Sequence, residues 1–340
     1  MSSFLLEVQI SPKENYRQIF LHKPVEYTPC TLTDGAIFGF GAKNGPWFEK
    51  GPEGGGYDGF GVRWVTPDSG NNAAIPAPGE FILDDITEWE KVKFPDLDNY
   101  DWKAEAEKDF SGINRDNVLV EFGVGNGVYE RLAALMGFEE ALISLAMEPE
   151  ACMEFFDKVS DYQCEYVDYI VRYYHPDIIN YYDDIATQRN LFMSPATYRE
   201  LIKPFHKKVI QHIHKKGCYA MQHTCGHAES IVEDMIDIGV DCWVSVQPCN
   251  DIQNLIRQYG DQISFAGGMD TNGAVAGENA TPEMIRAEAR RVIDEYGQYH
   301  KAFALFGFFL NHDPKALGQN FGILFDEFMP YRMTKCKPLA

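Results

Sequence analysis

From residue 117 onward the chain repeats one unit, a short apolar and β-branched run followed by a longer stretch of helical period. The strand-like runs are 117–123 (NVLVEFG), 177–184 (DIINYYDD), 218–224 (CYAMQHT), 240–247 (VDCWVSVQ), 263–270 (ISFAGGMD) and 303–309 (FALFGFF). Helical periods occupy 149–172, 195–216, 227–238, 251–259, 282–297 and 314–329, and Pro149, Pro195 and Pro282 stand near helix starts, where a missing N–H costs nothing. Strand then helix, repeated with short connections, requires parallel strands joined by right-handed crossovers. Runs such as VDCWVSVQ are nearly continuous, as expected of strands covered on both faces. No Gly-x-Gly-x-x-Gly follows any of these strands, and GVGNG at 123–127 is too short for a nucleotide loop. The repeat therefore predicts an α/β fold, a (β/α)8 TIM barrel in a single domain spanning 1–340. The Gly-, Pro- and aromatic-rich region 31–79 is expected to form an N-terminal loop-rich extension that carries substrate-binding groups.

Barrels of this kind place their chemistry at the C-terminal ends of the strands, which turns the strands into a short set of candidate residues. The run 218–224 ends at His223, Thr224, Cys225 and Gly226. Side chains alternate along a strand, so His223 and Cys225 point the same way, and imidazole with thiolate suits Zn2+ better than Mg2+ or Ca2+. The run 177–184 ends in Asp183 and Asp184, adjacent carboxylates that must face opposite sides. One is available as an acid, base or ligand, and the other can cap a turn. Further strand ends contribute Gln247, Cys249, Asn250 and Asp251, then Asp270 after two glycines, and finally His312. Asn250, Asp251 and Asp313 also serve simply as helix starts. The segment KPFHKKVIQHIHKK at 203–216 is expected to be a solvated outer helix face.

The formal charge of −21, from 30 basic and 51 acidic side chains, would repel phosphate backbones and anionic membranes alike, which argues against a nucleic-acid or membrane partner. No apolar stretch approaches the roughly 18 to 20 residues of a spanning helix, and a cytoplasmic protein is expected. The eight cysteines are scattered rather than framed and are expected to be reduced, most of them buried.

The order of these elements resembles the uroporphyrinogen decarboxylase superfamily of (β/α)8 barrels. The resemblance runs from ENYRQIFLHKPVEYTP (14–29) through YDGFGVRW, DDIATQRNLFMSPATYRELIKPF and HTCGH to IGVDCWVSVQPCNDIQNLIRQYGDQISFAGGMDT and the last helix. Two functions are found among such proteins. True decarboxylases bind a polycarboxylate tetrapyrrole and carry an Arg-Gln-Ala-Gly-Arg-like stretch, whereas the corresponding NYRQIFLHKPVEY has only Arg17 and Lys23. The other branch moves methyl groups between a heteroatom and a corrinoid cobalt, with zinc held by a His-x-Cys pair and a distant Cys. His223 and Cys225 match the pair, but 303–313 contains no cysteine and Cys336 lies in a tail expected to be frayed. An oxygen or nitrogen ligand such as Asp184, Asp270 or His312 is then expected to complete the shell.

The resemblance thus implies a corrinoid-dependent methyltransferase. Zinc would be held by His223, Cys225 and His312, Asp184 and Asp270 would be catalytic, and Trp64, Tyr182 and Gln247 would bind substrate. The expected methyl donor is a small O-methyl compound, with methoxylated aromatics suggested by the aromatic loops. The chain has no Asp-x-His-x-x-Gly, so the corrinoid is expected on a partner protein docking at the barrel mouth. A metal-independent decarboxylase, a methylcobamide:thiol methyltransferase and a non-enzymatic binding barrel are the alternatives.

Overall fold

In the computed structural model, which describes residues 10–39, 48–52, 54–66, 74–310 and 313–337, seven parallel strands form one curled sheet in the order β1-β5-β6-β7-β8-β9-β10. They are β1 (Gly35–Gly39), β5 (Leu119–Val124), β6 (Ile178–Tyr182), β7 (Tyr219–His223), β8 (Cys242–Val246), β9 (Ser264–Gly268) and β10 (Phe303–Phe306). A small antiparallel ribbon, β2 (Gly56–Tyr57), β3 (Arg63–Val65) and β4 (Ile75–Pro76), lies between β1 and β5 in the chain. Six strands fall inside the runs read from sequence or within a residue of them. β1 does not, because its GAIFG is short, glycine-flanked and embedded in the segment expected to be loops. The architecture is TIM-barrel-like. Just before β1, Cys30 forms a parallel bridge with Leu305 of β10, and the Leu305 N–H donates to the Pro29 carbonyl at 2.8 Å.

Burial on both faces explains the unbroken apolar runs, since every residue of β5, β8 and β9 is buried. Alternate positions form an inner cluster of Leu119, Ile178, Met221, Val244, Ala266 and Ala304, closed at one end by Tyr16, Ile19 and Phe20 of helix Pro12–Phe20. The intervening positions, among them Val120, Phe122, Ile179, Ala220, Trp243 and Phe265, pack against the outer helices. The period-two alternation therefore sorts one strand's side chains between two cores.

The longest outer helix, Pro149–Tyr174, has Pro at its first turn and ends at His175 in the left-handed conformation. The segment expected to be one helix over 195–216 is interrupted by a π-helical turn, Tyr198–Ile202, before helix Lys203–Lys215. Pro204 has no N–H for the carbonyl a turn earlier, and the wider turn accommodates it. The expected solvated face of this helix needs one correction. His206 is fully buried, because it continues the inward stripe of Val209, Ile210 and Ile213. No helix among the described residues is long and apolar enough to cross a membrane.

Candidate metal centre

β6 and β7 end side by side, with Tyr182 in register with His223. Their rings stack at 4.2 Å between centroids and 18° between planes. Phe306 of β10 meets the imidazole edge-on at 5.9 Å. The imidazole is thus clamped between two aromatics, with Nε2 3.4 Å from Sγ of Cys225 and Nδ1 buried without a hydrogen-bond partner among the described residues. Two residues beyond His223 on the same side, Sγ of Cys225 lies 3.2 Å from Oγ of Ser245. Ser245 sits at a register shift between Val244 and Val246 with φ of 65°, an unusual conformation for a non-glycine residue. The bulge turns its hydroxyl toward the thiol.

Asp184 completes the group. Its Oδ1 accepts the Cys225 backbone N–H at 2.7 Å, and ligand atoms of Asp184, His223 and Cys225 all lie within 4.8 Å of one another. The donor set is one sulfur, one nitrogen and one oxygen. Zinc–sulfur and zinc–nitrogen bonds at a tetrahedral angle separate the two atoms by about 3.6 Å, close to the 3.4 Å found here. Burial pushes the Cys225 thiol well above its ordinary range, and the Asp184 carboxylate pushes it further. Burial also lowers His223, against the pull of Asp184. A neutral imidazole is ready to ligate, and a buried thiol beside a carboxylate needs a cation to ionise. The residues therefore fit a zinc ion.

Asp183 faces the other way. Its two oxygens accept the backbone N–H groups of Tyr129 and Glu130 at 3.1 and 2.9 Å, capping the positive end of helix Val128–Met136. Oδ2 also lies 2.8 Å from Nε2 of His206, both side chains being fully buried. The cap thus reaches back to the helix of the preceding unit rather than closing the turn after its own strand. Gly127 makes this possible, since a Cβ there would stand 2.3 Å from that of Asp183. This explains Asn126-Gly127 in GVGNG as a tight exit from β5.

A pocket of about 430 Å3 reaches the trio at Asp184. Trp64, Phe81, Phe138 and Phe192 contribute apolar walls, while Lys50 and Glu130 join Asp184 as its charged groups among the described residues. Burial, then Asp184 and Asp183, raise the Glu130 carboxyl well above the usual range. Burial lowers Lys50.

The other sequence candidates are distributed differently. Tyr182 meets the site as the platform under His223. Gln247 is committed to the protein itself. Its Oε1 accepts from the Gly226 N–H and from Asn272, both at 3.0 Å, and its Nε2 donates to Thr271 at 2.8 Å. Asp270 follows β9, its backbone N–H donating to Glu288 at 2.7 Å, and it does not join the trio. Cys249 is exposed and also stands apart. Cys336, near the chain end, is buried. His312 lies outside the described residues. Sequence reasoning overlooked Glu130, Lys50 and His206. Only the inward stripe of helix Lys203–Lys215 offered a signal, and it pointed to His206.

No curated protein matches the chain by sequence. A solved structure, a methyltransferase from Methanosarcina mazei, superposes with a TM-score of 0.65 over 95% of this chain and 99% of its own, at 14% identity. At that identity the likeness speaks for the fold alone. The family model for uroporphyrinogen decarboxylase (URO-D) matches residues 122–313, more than half of the chain and the part that contains β6, β7 and the trio. This protein belongs to the uroporphyrinogen decarboxylase family.

Proposed function

We propose that the protein is a corrinoid-dependent methyltransferase of this family, taking a methyl group from a small O-methyl compound, with methoxylated aromatics as the favoured donors. We read the curled sheet as a (β/α)8 barrel in one domain, with segment 29–30 in the eighth position. The observation that carries the reading is the convergence of Asp184, His223 and Cys225 at the strand ends beside an aromatic-walled pocket. Zinc bound there would supply Lewis-acid polarisation of an ether oxygen, which lowers the cost of alkoxide or phenoxide charge as the C–O bond breaks.

The chain's own residues have distinct jobs in this reading. Cys225 and Asp184 offer anionic donors, and Ser245 steadies the sulfur. Tyr182 and Phe306 fix the imidazole plane, so that His223 presents Nε2 toward Cys225. Trp64 and the phenylalanines exclude water and favour a flat donor. Gln247 positions the turn after Cys225 rather than meeting the substrate. Asp270, expected from sequence as an acid or base, is assigned a secondary place at the mouth. In this reading the corrinoid arrives on a partner protein that docks at the barrel mouth.

Elemental analysis of purified protein, followed by the spectrum of a Co(I) corrinoid protein mixed with candidate methyl ethers, tests the proposal. Zinc at stoichiometric level and ether-dependent formation of methyl-Co(III) are expected. Protein without zinc, whose methyl transfer is indifferent to chelators, would overturn the metal assignment. The family's name favours a second reading, a metal-independent decarboxylase. Against it, the pocket's charged groups among the described residues are one lysine and two carboxyls, a poor match for a polycarboxylate. Decarboxylation with no corrinoid protein present would support it.

A further inference from the structure

We propose that Asp58 is a positioning residue that sets the aromatic wall of the pocket by holding Trp64 and Arg131 on one carboxylate, and thereby selects donors by thickness and size. The inference rests on the reading of this pocket as the methyl-donor site.

Asp58 lies in the turn between β2 and β3, 7% exposed, and does not line the pocket. Its Oδ1 accepts the N–H groups of Phe60 and Val62, both at 2.9 Å, which fixes the turn. Its Oδ2 accepts from Nε1 of Trp64 at 3.0 Å and from Nη1 of Arg131 at 2.8 Å. Trp64 stands on the ribbon and lines one side of the pocket. Arg131 belongs to helix Val128–Met136, whose Tyr129, Glu130 and Ala133 line it as well. One carboxylate oxygen therefore joins two walls that come from distant parts of the chain.

The surroundings leave the indole little freedom. A Cβ on Gly51 would stand 2.7 Å from the Trp64 ring, so that position is closely packed. The guanidinium of Arg131 is fully buried, lies 3.9 Å from the Phe60 ring centroid, and donates to the Glu49 carbonyl. Charge-assisted bonds in such a dry setting are short and directional. Without the Asp58 carboxylate, Trp64 loses its Nε1 acceptor and Arg131 its shortest carboxylate contact, so the ribbon can shift away from the helix.

The binding measurements use the full chain and need no corrinoid protein, and methyl transfer is read separately from the Co(I) spectrum described above. Binding of 1,2-dimethoxybenzene and of the larger 1-methoxynaphthalene is measured by calorimetry on wild type, Asp58→Asn, Trp64→Phe and the double variant, with zinc content followed in parallel. Asp58→Asn should weaken 1,2-dimethoxybenzene about tenfold and shift preference toward the naphthalene, with zinc content unchanged. Trp64→Phe, which keeps the ion pair, should show the same shift, and the double variant should be no worse than the more affected single variant. A folded Asp58→Asn protein with wild-type affinities and preference, or additive effects in the double variant, would overturn the inference. Where Asp58→Asn does not fold, Trp64→Phe decides, and wild-type preference there overturns it. Arene binding without methyl transfer by the wild type counts against the proposed activity alone. Methyl transfer with an unchanged Asp58→Asn counts against this inference alone, and a wild type that binds neither arene overturns it together with the donor-site reading.

Discussion

Nε2 of His206 lies 2.8 Å from Oδ2 of Asp183, with both side chains fully buried, and that carboxylate also caps helix Val128–Met136. A tautomer protonated at Nε2 donates to Asp183 and leaves Nδ1 to accept from Gln222 at 3.2 Å. The pair thus ties helix Lys203–Lys215 to the end of β6, next to Asp184. His206→Leu should destabilise the protein by on the order of 3 kcal/mol, because it strips a buried carboxylate of a partner. Chemical denaturation checks this, and a shift below about 1 kcal/mol would show the pair to be incidental.

The metal assignment separates two sets of residues. Cys225→Ser, His223→Ala and Asp184→Asn should each reduce bound zinc sharply, whereas Cys249→Ser and Asp270→Asn should leave it at the wild-type level. Zinc measured after gel filtration decides, and a loss on Asp270→Asn equal to that on Asp184→Asn would contradict the trio.

Glu49 makes stability pH-dependent. Burial raises its carboxyl from 4.5 to about 8, while Arg131 opposes the rise and Asp58 adds to it. Between those two values the folded state holds a proton that the unfolded chain has released. This contribution to stability therefore falls as pH rises from about 4.5 to about 8 and is level above. Glu49→Gln should remove that slope, so its advantage over wild type should grow across the window. Denaturation midpoints for both proteins at acidic, neutral and mildly alkaline pH test it, and parallel curves would refute it.

Gly226 exits the strand immediately after Cys225 with φ of 86°, and a Cβ would stand 2.5 Å from the Thr187 carbonyl oxygen. Gly226→Ala should cost about 1 to 3 kcal/mol and also lower zinc content by displacing the thiol. Retention of both stability and zinc would mean that the turn can relax.

Much of the fold was legible in the sequence because its causes are local. Apolar period and helix-starting prolines place six of the seven sheet strands, and burial on both faces leaves its mark as unbroken runs such as CWVSV. β1 escaped because five residues flanked by glycine carry too little periodicity to stand out. His223 and Cys225 were also legible, since alternation along one strand puts them on one side.

Which residues meet them was not. Asp184 reaches the pair because β6 and β7 are neighbours in register, whereas Asp270, on an equally suggestive strand end, stays apart. Asp183 and Asp184 share a sequence context, yet one is spent on a helix cap and the other faces the thiol. Lys50, Trp64 and Glu130 line one pocket from three separate segments, and a buried aspartate bonded to both Trp64 and Arg131 joins the ribbon to the helix that carries Glu130. The sequence by itself determined the strand-and-helix repeat and the same-sided His-x-Cys pair, through periodicities of a few residues. The tertiary structure alone decided the third donor and the pocket, because both depend on side chains from distant segments packed at fixed separations.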